Sequence, residues 1–392
     1  MNIILFSIII PLVFTILLLT IYKKRATWWE IGLINTVSLI VIFGAFSFSD
    51  LMCMDTEYWG SLATKAIYYE AWDEYVHRTC EDTDCYGTGK DRTCTTRSYD
   101  CSYVDEHPER WELIIPRDTI QISKARYKEL VERWGTPKFK DMHRDFYRVD
   151  GDAYFVTWDS KEETAEPATT IHTYLNKVQN SSNVINYQQV TKEDAVKNKL
   201  FKYPSCSGYY INPIMGIKDS AASKKFDYIN GLLGASKQVR LWVLVFINKP
   251  IETAMLQEAY WKGGNKNEFV YCIGIDDSKN VKWAHIFSWT KNERLKIESR
   301  NFICDMKKLD LLALAEFSKK SISKQFKRRE FKEFEYLQIN PPTWYIVVSF
   351  IIILIANIAT FLFVILNSSN PSKSGDNEYS YYRNRSNRHW KN

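Results

Sequence analysis

The chain lacks every short motif that would announce a known chemistry. It has no G-x-S-x-G nucleophile turn, no Walker loop, no G-x-G-x-x-G and no H-E-x-x-H. Hydrolase elbows, nucleotide cradles, dinucleotide sites and zinc-protease helices are built on those patterns, so no cofactor is called for and enzymatic activity is not the leading expectation. A concentrated basic face is missing too. Of the net charge of +6, Lys23–Glu30 carries +2 and the residues after Leu366 carry +3, which leaves +1 for everything between. Nucleic-acid binding needs a basic stripe or patch, so nucleic acid is not an expected partner. No internal repeat is visible.

A further absence is positional. Three long apolar segments, approximately Ile3–Ile21, Ile31–Phe48 and Tyr345–Leu366, contain no Asp, Glu, Lys, Arg or His. Each is close to the ~20 residues an α-helix needs to cross ~30 Å of hydrocarbon. Charged groups at membrane depth mark ion and proton routes, and their absence argues against a pump or coupled transporter. Pro11, Asn35 and Asn357 interrupt the runs, and the two asparagines are placed to hydrogen-bond between helices. The mean hydropathy of −0.31 shows that the rest is ordinarily polar.

These features predict a membrane-anchored α+β protein: three transmembrane helices plus a large extracytoplasmic domain. Lys23, Lys24 and Arg25 put the first loop in the cytoplasm, and Arg383, Arg385 and Arg388 put the tail there as well. Trp28–Trp29 and Trp344–Tyr345 fall at span edges, where amphipathic rings sit among headgroups. A cleaved signal peptide fits less well, because no basic region precedes the first run. The expected division is 1–22 for the first span, 23–30 for a cytoplasmic loop and 31–49 for the second span. A Cys-rich β-hairpin region (50–120) and an α+β domain (121–342) follow outside, then the third span (343–366). The tail, 367–392, is rich in Asn, Ser, Tyr and Arg and is expected to be disordered and basic, lying in the cytoplasm or against anionic lipid.

Cysteine is absent from the spans and the basic segments. All eight, Cys53, Cys80, Cys85, Cys94, Cys101, Cys206, Cys272 and Cys304, lie in the part placed outside, where disulfides persist. Cys80, Cys85, Cys94 and Cys101 cluster between strand-like flanks, Ile67–Arg78 and Arg97–Val104, with a turn-like Tyr86–Lys90. Paired residues of an antiparallel hairpin have a nearly constant sum of numbers. Cys80 with Cys101 and Cys85 with Cys94 differ by only two in that sum, so both pairs fit one hairpin with an irregularity near its tip. Three connectivities remain open, as does a four-cysteine zinc site that drafts His77 or His107, although the spacing is poor for paired zinc knuckles.

The outer domain continues with a helix at Ser123–Trp134, a strand at Asp152–Trp158, another strand or a short helix at Thr169–Val178, and a capped helix at Thr191–Leu200. Ala221–Trp289 is the most regular part. It reads as a helix ending at Gly234, a strand Leu241–Ile247 apolar on both faces, a helix Ile251–Trp261, and strands Phe269–Ile275 and Val281–Trp289. That order predicts a mixed α/β sheet core. Arg294–Ser299 reads as a strand, Leu309–Lys319 as a helix and Phe331–Leu337 as alternating.

Two local patterns are candidate sites. Lys262, Gly263, Gly264, Asn265 and Lys266 form a possible anion-binding turn, although it follows a helix C-terminus, where the dipole has the wrong sign for an anion. Asp276 and Asp277, after a strand, are weak candidates for a divalent cation; hard cations want more oxygens than two.

The aromatic Cys-rich hairpin, the Trp261–Glu268 turn (W-K-G-G-N-K-N-E) and the Phe287-Ser288-Trp289 strand resemble uncharacterised membrane proteins of large tailed phages or Bacteroidota-like bacteria; that resemblance implies no activity. Ala221–Trp289 is similar in element order to TPM domains, membrane-tethered modules of which some are phosphatases. The family's motif is absent, and Asp276 and Asp277 match only in position, so no catalytic residue is carried over. The leading expectation is an extracytoplasmic disulfide-stabilised domain that binds another membrane or envelope protein, or itself. The alternative is a membrane-tethered, metal-dependent phosphatase-like hydrolase using Ala221–Trp289.

Overall fold

The computed structural model describes residues 3–22, 27–87, 92–142, 151–176, 188–334 and 341–368. The basic loop residues Lys23–Arg25, the connection Gln179–Asn186, His143, and the tail from 369 on lie outside the described residues. The chain divides into two compact units. The first comprises residues 1–55, 173–187 and 330–392, and the second 56–172 and 188–329.

The first unit holds α1 (Ile9–Tyr22, entered through a 3-10 segment Ile3–Ile8), α2 (Trp28–Ser49) and α9 (Thr343–Ser368). Three stretches, Ile4–Ile21, Trp28–Cys53 and Thr343–Leu366, are long and apolar enough to cross a membrane. Thr27 starts α2 through a reciprocal capping box with Glu30, which satisfies two backbone donors that a helix start leaves open. Leu18, Ile34 and Val364 pack together, and Phe14 meets Phe361 edge to face at 5.5 Å. Polar side chains join the helices. Asn35 Nδ2 donates to Thr15 Oγ1 at 3.0 Å, Ser38 Oγ donates to Asn357 Oδ1 at 2.8 Å, and the Tyr345 hydroxyl donates to the Ala45 carbonyl at 2.8 Å. Both asparagines singled out in the sequence therefore bond between helices.

The second unit contains two larger sheets with separate cores. β8 (Asp118–Gln121), β7 (Arg110–Ile115), β2 (Lys65–Tyr69), β10 (Ala153–Thr157) and β9 (Lys138–Lys140) form an antiparallel sheet in that order. α3 (Lys124–Trp134), capped by Ser123, buries Tyr127 and Leu130 against Ala66, Leu113 and Val156. The other sheet has the order β12 (Ile214–Met215), β13 (Arg240–Ile247), β14 (Glu268–Ile275) and β15 (Val281–Ser288). The first three strands run parallel and β15 is antiparallel. β13 is covered on both faces, as its unbroken apolar run requires. Leu241, Val243 and Val245 join the cluster with Phe226 and Leu314. Trp242, Leu244 and Phe246 join another with Val270 and Trp261. β1 (Met54–Leu62) pairs with β11 (Pro167–Leu175). The helices are α4 (Lys192–Asn198), α5 (Ser220–Lys237), α6 (Glu252–Tyr260), α7 (Glu293–Cys304) and α8 (Leu311–Gln325).

Three expectations need correction. α5 does not stop at Gly234 but runs on to Lys237, and Gln238 ends it in the left-handed conformation. Gly234 instead allows a backbone contact: a Cβ there would stand 2.2 Å from the Gly60 carbonyl oxygen. Arg294–Ser299 is not a strand but lies inside α7. Leu295, Ser299 and Ile303 are buried at a spacing of four, which is a helical face. Phe331–Phe334 forms a 3-10 turn, and Glu335–Leu337 lie outside the described residues.

Candidate functional site

The most exposed ordered element is a two-stranded arm rooted in β2 and β7. β2, β3 (Trp72–Val76) and β4 (Thr79–Tyr86) run outward, and β5 (Thr93–Asp100), β6 (Tyr103–His107) and β7 return. The pairings Lys65↔Ile114, Trp72↔His107 and Thr79↔Asp100 keep one register along the whole arm. From Tyr69 to Tyr86 the strand path covers roughly 55 Å at ~3.3 Å per residue. No residue of β4 or β5 is buried.

An isolated two-stranded ribbon is marginal in water, and here two disulfides do the holding. Cys85 bonds Cys94 directly opposite, and Cys80 bonds Cys101 diagonally, two positions out of register. The offset thus lies at the base of the ribbon, while the ladder runs unbroken from Thr79↔Asp100 to Tyr86↔Thr93. Sulfurs joined in this way do not supply the four thiolates that a four-cysteine zinc site needs. Asp82 faces Arg97, and Thr83 hydrogen-bonds Thr96 at 3.1 Å. Tyr86, Tyr99 and Tyr103 are each about half exposed or more.

A second place with chemical potential is a cavity of about 530 Å³ beside α5, lined by Arg126, Arg133, Glu166, Tyr210, Lys225 and Asp227 among others. Glu166 is buried and clamped by two arginines. Arg126 reaches Oε1 through both Nε and Nη2, and Arg133 Nη2 reaches Oε2 at 3.1 Å. The Tyr209 hydroxyl also donates to Glu166 at 3.0 Å. Asp227 is opposed by no such clamp. Burial pushes its carboxyl up to about 7, against the pull of Arg240 and a hydrogen bond from Tyr210. Burial thus favours the neutral form of Asp227, and a carboxyl raised toward neutrality can both give and take a proton.

No protein-family model, curated protein or solved structure matches the chain.

The glycine-rich turn already holds a carboxyl, and that carboxyl is the chain's own Glu268, whose charged form burial disfavours. Asn265 N donates to Glu268 Oε2 at 2.8 Å, and a Cβ on Gly264 would stand 2.7 Å from the same oxygen. Gly263 and Gly264 both have positive φ, and the segment from Gly263 to Glu268 is buried. Lys262, also at positive φ, follows Trp261, the C-cap of the preceding helix. Asp276 is the acceptor of a tight turn. It takes hydrogen bonds from Asn280 Nδ2 at 2.8 Å, Asn280 N at 2.8 Å and Ser278 N at 3.0 Å, and Lys282 stands 3.0 Å away. Those donors hold its carboxyl well below the usual range. Cys272 is buried in β14, Cys53 is buried, Cys206 is half-buried and Cys304 is exposed; none of the four is in a disulfide.

Sequence reasoning missed Asp227, Glu166 and the pair Arg240 and Glu268. The last two are register partners at the start of two buried parallel strands. Their only signal is a single charge directly preceding each apolar run.

The titration of Asp227 gives a stability prediction. The unfolded chain releases this proton near 3.8 and the folded chain near 7, so the folded state holds more protons between those values. Stability is full below pH ~4 and falls by up to about 4 kcal/mol as pH rises through 7. Asp227→Asn is expected to melt at higher temperature than the parent at pH 8 and at the same temperature at pH 4. Thermal melts over that range check it, and a lower melting point at pH 8 would show that the buried carboxylate is stabilised by Arg240.

Proposed function

We propose that this is a membrane-anchored protein whose stapled β-arm is presented outside the cytoplasm to a protein partner, either another membrane or envelope protein or a second copy. The observation that carries this reading is a ribbon in which none of the described residues from 72 to 107 is fully buried. Ordering roughly two dozen residues costs about 1–2 kcal/mol each in backbone entropy, and burial in the arm does not offset that cost. Two disulfides offset part of it by restricting the unfolded chain. They also favour an oxidising compartment, in agreement with the basic Lys23–Arg25 segment. Half-exposed tyrosines on a stiff strand pair are the side chains enriched where proteins meet.

Two measurements test the reading. In intact cells, a membrane-impermeant maleimide is expected to label the exposed Cys304 without permeabilisation and to reach Cys80, Cys85, Cys94 and Cys101 only after reduction. Labelling that requires permeabilisation would place the domain in the cytoplasm. A photo-crosslinking residue at Tyr86 or Tyr99 is then expected to give a discrete protein adduct in native membranes, whereas one at the exposed Ile297 of α7 gives none. The same adducts from both places would remove the arm from the interface.

A further inference from the structure

Midway along the arm, three donor side chains converge. Trp72↔His107 and Glu74↔Asp105 are alternate register pairs of β3 and β6, with Asp73↔Glu106 between them. Side chains two apart on a strand, and those directly opposite, share a face, so Trp72, Glu74, Asp105 and His107 all project from one side of the ribbon. His107 Nε2 stands 3.0 Å from Glu74 Oε2 and 3.8 Å from Asp105 Oδ2, and the three ligand atoms lie within 4.8 Å of one another. The Trp72 ring stacks on the imidazole, with centroids 4.2 Å apart and planes 11° from parallel. That stack holds the ring with Nε2 toward the two carboxylates.

We propose that Glu74, Asp105 and His107 bind a divalent transition-metal ion, with zinc as the type case. The donor set is one imidazole nitrogen and two carboxylates. Magnesium and calcium prefer all-oxygen shells, whereas imidazole suits zinc, copper, nickel and cobalt. Around a tetrahedral ion with bonds of ~2.0–2.1 Å, ligand atoms lie about 3.3 Å apart. The two measured separations bracket that spacing, and the half-exposed Asp105 side chain is free to close the remainder by rotation. In the metal-free arm the His107–Glu74 hydrogen bond keeps the site assembled; the ion takes its place. Three protein ligands leave one position open on the solvent side, available to water or to a donor from a docked partner. The site depends on the arm's register but not on whether the arm is an interface, so it stands or falls apart from the proposed function.

The test uses untagged full-length protein in detergent, titrated with cobalt(II), a spectroscopic stand-in for zinc. One equivalent is expected to bind with weak visible d–d bands and without the intense near-ultraviolet thiolate band that Cys206 or Cys304 would give. Zinc is expected to displace it. His107→Ala and, separately, Glu74→Gln should each weaken binding at least as much as the roughly 10–100-fold lost on removing outer-shell partners. Glu74→Gln is near-isosteric and keeps an acceptor for His107, so its loss of binding reports the ligand and not the fold. His77→Ala on the same arm should change nothing. No saturable binding, a thiolate band, or unchanged affinity in both His107→Ala and Glu74→Gln would overturn the assignment.

Discussion

Gly60→Ala is expected to destabilise the second unit by about 3 kcal/mol or more, the upper end of what overpacking does. A Cβ on Gly60 would stand 2.2 Å from the Asn230 carbonyl oxygen, and a Cβ on Gly234 would stand 2.2 Å from the Gly60 oxygen. Both obstacles are backbone, so no side chain can swing aside; β1 and α5 would have to separate. The decisive readout is the sign at Gly234. A glycine inside a helix is normally the worse choice by about 1 kcal/mol, and alanine there stabilises. Gly234→Ala should instead lower the melting temperature of the purified chain. Gly44→Ala in α2, where a Cβ meets nothing within 4 Å, should leave it level or raise it. A gain in stability at Gly234 would refute the backbone contact.

Glu268→Ala is expected to have an effect of similar size, about 3–5 kcal/mol, as when a buried charge loses its partner. The side chain is 1% exposed and accepts hydrogen bonds from Tyr203 Oη, Trp242 Nε1 at 3.0 Å and Asn265 N at 2.8 Å. All three lose this acceptor in the alanine variant. Arg240, buried beside it and held by Thr169 and the Ile211 carbonyl, loses a counter-charge. Glu268→Gln keeps the volume and one accepting oxygen, and should lose less than half as much. Chemical denaturation of the two variants side by side separates the roles: equal losses would mean that the charge, not the hydrogen bonds, is what the pocket requires.

The contrast between these residues shows where sequence is informative. The apolar helices and the covered strand β13 were legible because burial leaves a periodic or continuous hydrophobic record. The cysteine pairs were legible because an antiparallel ladder ties residue numbers together. Gly234 was misread because a helix stop and a close backbone approach call for the same residue. Arg294–Ser299 was misread because Leu295 and Ile297, two apart, mimic a strand until Ile303 is counted. Asp227 left no readable trace and Glu268 only a charge ahead of an apolar run: their roles arise from partners such as Arg240 and Tyr203, which reach them through tertiary structure alone. The Glu74–Asp105–His107 cluster had the same difficulty, since its spacing becomes a donor set only once the strand register is known.

The bond between Ser38 and Asn357 also sets a clock. Its partners are 319 residues apart. At about 5–20 residues per second of chain synthesis, roughly 16–64 s separate the making of the two. Through that interval the Asn35–Thr15 bond is already within reach of α1 and α2, and the Ile34 carbonyl, 2.7 Å from the Ser38 hydroxyl in the finished fold, offers that hydroxyl a local acceptor. Completion of the three-helix bundle is therefore a late event in the protein's birth, and α9 is the element whose arrival closes it.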